Sequence, residues 1–154
     1  MQIPKELPQY TDIYGLVLVL GGLEGAGYFC NSGTIEPVFT YEQPTPSYSD
    51  KEGFFQESGN GQTFGTGSVR EDDVGEQHKR FAIAIAERVA AVDTATPLSC
   101  IDLCAPQHLL SGIESHLPAQ LRSKIRVRID AQLTKVHVTD VLARIADALE
   151  RQGE

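Results

Sequence analysis

Tyr14-Gly15-Leu16-Val17-Leu18-Val19-Leu20 is the stretch on which the fold turns. Leu16 to Leu20 is the longest unbroken run of large aliphatic residues in the chain. Its length suits a strand buried on both faces and falls well short of the ~18 residues needed to span a bilayer. Gly21-Gly22-Leu23-Glu24 follows as a turn, then a second strand from Gly25 to Asn31. Asn31-Ser32-Gly33 is another turn, and Thr34 to Tyr41 a third strand. Short glycine turns between such runs predict an antiparallel meander.

Beyond the meander the period changes. Val74, Phe81, Ile85, Val89 and Val92 recur at helical spacing, and Ser68-Val69-Arg70-Glu71 has the spacing of a capping box. These place a helix over about 71–92, with Gly75 weakening its first turns. Leu98 to Ala105 reads as a fourth strand. Pro106 opens a second helix carrying Leu109, Leu110, Ile113 and Leu117. Ile125 to Ala131 reads as a fifth strand, and Thr139 as the cap of a last helix with Val141, Leu142, Ile145, Ala148 and Leu149 inward. The predicted order, β-β-β-α-β-α-β-α, describes an α/β fold: one domain over 13–151, a mixed five-stranded sheet with helices on its faces. Residues 1–12 are expected as a flexible N-terminal arm, and 43–67 as a long loop.

The 154 residues suffice for one core, and the net charge of −8 disfavours nonspecific adhesion to nucleic acid or anionic lipid. Met1 to Glu6 shows no basic stretch leading into an apolar segment, so the expected location is cytoplasmic, with no membrane partner. Cys30, Cys100 and Cys104 make no even disulfide framework. Cys100 and Cys104 are four residues apart on one strand, roughly 13 Å, too far for a bond or a shared metal; all three are expected as small core residues.

Several residues could carry chemistry. Gly59-Asn60-Gly61-Gln62-Thr63-Phe64-Gly65-Thr66-Gly67 holds four glycines in nine positions and reads as a loop able to approach another molecule closely. It is the first candidate binding site, through Gly59, Asn60, Gly61, Gln62, Phe64, Gly65 and Gly67. Asp102, mid-strand between Ile101 and Leu103, needs a cation or a donor if it is buried. His108, one turn into the second helix, is placed for a possible His–Asp pair with it. Lys124, Arg126 and Arg128 alternate near one strand and are expected to line up on one face. Gly22 to Gly27 hints at a dinucleotide loop, but Tyr28-Phe29-Cys30 continues as strand rather than helix, so a hairpin turn is expected. The first strand carries no acidic residue, which argues against the metal-ion carboxylates of ribonuclease-H-like nucleases; no metal and no cofactor is expected.

The order of these motifs resembles the middle domain of class-one peptide-chain release factors of archaea and eukaryotes. It resembles more closely their bacterial relatives, the host attachment proteins. The hairpin from Tyr14 to Phe29, the segment ending at Gly61-Gln62 with the helix holding His78-Lys79-Arg80-Phe81-Ala82, the strand-helix junction at Ala105-Pro106 with His108-Leu109-Leu110, and Ile129-Asp130 with Leu133-Thr134 carry the resemblance. In release factors a Gly-Gly-Gln tip enters the ribosomal peptidyl-transferase centre; here Asn60-Gly61-Gln62 stands in its place. The resemblance implies a release-factor-like middle domain, and three expectations of function follow. The first is a non-catalytic binding module meeting a ribosome or tRNA through 59–67. The second is a peptidyl-tRNA or ester hydrolase using Gln62 to position water, and the third a surface attachment factor.

Overall fold

The computed structural model describes the backbone of residues 1–44 and 59–153, and the side chains of 1–44 and 75–152. Three strands open the chain, β1 (Tyr14–Gly21), β2 (Glu24–Asn31) and β3 (Thr34–Glu42). The long helix α1 (Gly59–Ala95), β4 (Cys100–Ala105), α2 (Gln107–His116) and a short helix α3 (Ala119–Arg122) follow, then β5 (Ile125–Asp130) and α4 (Val138–Gly153). The sheet runs β3-β2-β1-β4-β5. β1, β2 and β3 pair antiparallel, while β1–β4 and β4–β5 pair parallel. The mixed five-stranded sheet is the one expected, with α3 as an added element between α2 and β5.

The meander turns as its sequence dictates. Gly22 and Leu23 both have positive φ, as do Ser32 and Gly33. Consecutive positive φ values are what two-residue hairpin turns of the primed type require. Gly22 to Gly27 is therefore a hairpin and its second strand.

Alternation along the strands sorts the core into two halves. Leu16, Leu18, Leu20, Ile101 and Leu103 face α1 and α2, where Phe81, Ile85, Val89, Leu109 and Ile113 cover them. Val17, Val19, Cys30, Cys100, Cys104 and Val127 face the other way, beneath Val141, Leu142 and Ile145 of α4.

Four expectations are corrected. Residues 1–12 are no loose arm: Ile3 and Tyr10 are buried in the α4-side core, and Gln2 bridges Thr34 on the edge strand. The helix predicted from Glu71 begins at Gly59, so Gly59 to Gly67 is helical backbone rather than loop, and Ser68 to Glu71 lies inside it. Each interior glycine costs a helix about 1 kcal/mol against alanine, but extending a formed helix is cheap compared with starting one. The expected loop from 43 to 67 otherwise falls largely outside the described residues. Thr139 is not the cap of α4: His137 precedes the helix, and its Nδ1 accepts from the Thr139 backbone N–H at 3.2 Å.

Candidate functional site

Asp102 lies midway along β4, between β1 and the edge strand β5, and is fully buried. Its side chain points to the α4 face, between Cys100 and Cys104, as strand alternation requires. Arg126 of β5 grips it with two bonds, Nε to Oδ1 at 3.1 Å and Nη2 to Oδ2 at 2.7 Å. The Tyr10 hydroxyl donates to Oδ2 at 2.6 Å. The guanidinium also sits 5.3 Å from the Tyr10 ring centre. A buried carboxylate with a bidentate arginine and a phenol is satisfied, and the cluster fixes the N-terminal segment to the sheet.

The same environment sets the proton affinities. Burial, and next the Asp102 charge, hold the Tyr10 phenol far above its ordinary value. Burial alone would lower Arg126, but its bonds to Asp102 raise it overall. Cys100 is pushed up to about 11 and Cys104 to about 12, by burial first and the Asp102 charge second. Cys30 rises for the same two reasons. All three cysteines are free, buried thiols at neutral pH, as their sequence context indicates.

The expected alignment of Lys124, Arg126 and Arg128 does not form. Lys124 bonds Asp93 at the end of α1 at 2.9 Å, and Arg128 makes two 2.9 Å bonds to Glu114 of α2. The register of β4 and β5 shifts beside Arg126, which pairs with no β4 residue, so the alternation breaks there and the cations meet carboxylates on different elements. Asp93 also accepts the Leu98 backbone N–H; that bond first, and Lys124 second, lower its pKa. Nor does His108 meet Asp102. Its ring lies edge-on to His78 of α1 at 5.5 Å between centres. Asp130 Oδ1 accepts the Gln107 backbone N–H at the start of α2. The side chains of Asn60, Gln62 and Phe64 lie outside the described residues.

A concavity opens elsewhere, on the α4 side, where the sheet runs past the cover of that helix. A cleft of about 470 Å³ is lined by Glu24, Ala26 and Tyr28 of β2, Thr40 and Glu42 of β3, and Thr134, Lys135 and Val136 of the β5–α4 connection. That volume lies in the range of small-molecule sites, ~300–1,000 Å³. Lys135 closes one rim on Glu24 at 3.3 Å. The Thr134 hydroxyl oxygen is enclosed and has no hydrogen-bond partner among the described residues. The cleft carries no local sequence signature, because Glu24 and Lys135 are brought together from opposite ends of the chain. Tyr10 escaped the sequence reading for the same reason: nothing near it announces a partner on β4.

The profile of a family described as "Protein required for attachment to host cells" matches residues 40–145. Among solved structures, the archaeal translation termination factor aRF1 aligns with 91% of this chain and 40% of its own, at 11% identity and TM-score 0.47. A structure titled "Archaeal protein" aligns with 91% of this chain and 39% of its own, at 9% identity and TM-score 0.45. The chain thus spans about two fifths of the length of these structures. No curated protein matches. With its profile covering well over half of the sequence, the chain belongs to the family of proteins required for attachment to host cells.

Proposed function

We propose that this family member is a non-catalytic binding module that takes its ligand in the cleft between the β2–β3 face and the β5–α4 connection. The carrying observation is the cleft itself, about 470 Å³, lined by Tyr28, Thr40, Glu42 and the Glu24–Lys135 pair. A hydroxyl-rich lining with charges of both signs suits a small polar ligand or the polar tip of a larger one. The non-catalytic half rests on Asp102, whose two oxygens accept three donors, and on thiols held protonated by burial. Gln62 lies on helical backbone near the start of α1, and its side chain lies outside the described residues.

Ribosome or tRNA association is the narrower form of the proposal, and it rests on the motif resemblance alone. Attachment to host cells, the role in the family description, is a use the same module could serve. An amide NMR screen of small polar fragments tests the cleft. Perturbations are expected at Tyr28, Thr40, Glu42 and Thr134 to Val136, and their loss in Thr40→Trp, which fills the cleft from an exposed strand position. Perturbations elsewhere, or persisting in the variant, would sink the reading. Co-sedimentation with ribosomes across a salt series tests the narrower form. Saturable binding that Thr40→Trp abolishes supports it; no binding at low salt removes it.

A further inference from the structure

The four histidines divide into two kinds. His116 Nδ1 lies 2.8 Å from the Gly112 carbonyl oxygen, and His137 Nδ1 lies 2.8 Å from the Thr139 hydroxyl. Each has one ring nitrogen engaged within its own turn. His78 and His108 have neither kind of bond among the described residues; they face each other across the α1–α2 contact. The two rings come from separate helices whose packing is fixed by Phe81, Leu109 and Ile113 beneath them. His78 is half-buried and His108 exposed, so water and ions reach the pair.

The spacing is the informative quantity. A zinc–imidazole bond is ~2.0–2.1 Å, and the ring nitrogen lies about 1.1 Å from the ring centre, so two imidazoles on one tetrahedral ion have centres roughly 5.2 Å apart. The observed separation is 5.5 Å. The rings meet edge to face, and a divalent ion of borderline softness is a ligand that imidazole nitrogens share well. Both residues stand on regular helices, which hold a ligand pair more tightly than loops do.

We propose that His78 and His108 form a two-histidine site for a divalent transition-metal ion of the zinc type. Among the described residues no group of three or more His, Cys, Asp or Glu side chains could hold a metal, so water fills the remaining positions and the ion exchanges readily. The site lies on the α1–α2 face, opposite the cleft, and stands or falls independently of it.

Titration of the purified chain with ZnCl₂ by calorimetry, at neutral pH in a non-coordinating buffer, is the test. One ion per chain is expected, with affinity weakened roughly tenfold or more in His78→Ala and in His108→Ala. His116→Ala and His137→Ala are expected to bind as the wild type does. Circular dichroism confirms that the variants fold. In the unaltered protein, sub-stoichiometric Cu²⁺ is expected to broaden the ring NMR signals of His78 and His108 before the other two. No zinc binding at millimolar metal, or binding kept in the His78→Ala/His108→Ala double variant, would overturn the site. So would broadening that falls equally on all four rings.

Discussion

The two faces of the sheet are closed by different means. The α1–α2 face is an apolar seam: leucines and isoleucines of β1 and β4 meet Phe81, Ile85, Val89 and Ile113, with the Lys124–Asp93 and Arg128–Glu114 pairs at its margin. The α4 face is mixed. It buries three thiols and one carboxylate, and it recruits Tyr10 from the N-terminal segment and Arg126 from the edge strand to make that tolerable. Hydrophobic contact has no preferred partner, whereas a buried charge accepts few. The first face is robust to small changes of shape, and the second is specific about which segment covers it.

The largest effects set the two faces against each other. Arg126→Met leaves Asp102 buried without its cation and is expected to cost about 3–5 kcal/mol in denaturant unfolding. Phe81→Ala, which empties the apolar face, is expected to cost a similar ~3–5 kcal/mol. The distinction appears on adding a second change. Asp102→Leu in the Arg126→Met background should recover most of the loss, because an apolar pair replaces an orphaned charge. No recovery would mean that the α4 face is held by packing like its counterpart.

A smaller effect sharpens the picture. Tyr10→Phe removes one of three donors to Asp102 and is expected to cost about 1–2 kcal/mol. A Cβ added at Gly15 would lie 2.5 Å from the Tyr10 ring and 3.2 Å from the Cys100 sulfur, so ring, glycine and thiol are in close contact. Tyr10→Ala should therefore expose Cys100 to a thiol reagent that the native protein resists, read as the rate of labelling. Unchanged labelling would show that the N-terminal segment does not guard the thiol.

The smallest effect lies at the margin. The pKa of Asp93 is lowered in the folded chain, so its stabilising contribution is present above the unfolded aspartate pKa and is lost as pH falls through the folded value. Asp93→Asn should cost about 1 kcal/mol or less at neutral pH and flatten the acid limb of the stability profile. An unaltered acid limb would assign that dependence to other carboxylates.

What the sequence made legible was local. Leu16 to Leu20 announced a doubly buried strand, the two glycine turns announced the meander, and Phe81-Ile85-Val89 announced the buried stripe of α1. The need of Asp102 for a cation followed from its apolar neighbours; the identity of that cation did not. Arg126 was read as one of three aligned surface charges because strict alternation was assumed, while the register of β5 against β4 shifts at that residue. The start of α1 was missed because a glycine-rich stretch has weak preference of its own and takes on the conformation of the helix it adjoins. The cleft was invisible for a further reason: β2, β3 and the β5–α4 connection contribute to it without any one of them looking unusual.

The bond from Tyr10 to Asp102 joins residues 92 positions apart. Residues 1–12 are synthesised before β4, so the carboxylate that Tyr10 bonds appears later, and Arg126 later still. During that interval β1 to β3 can pair while their α4 face lies bare. Backbone bonds tie the segment to the β2–β3 turn within the meander, and the buried charge adds its hold only when β4 and β5 are both in place.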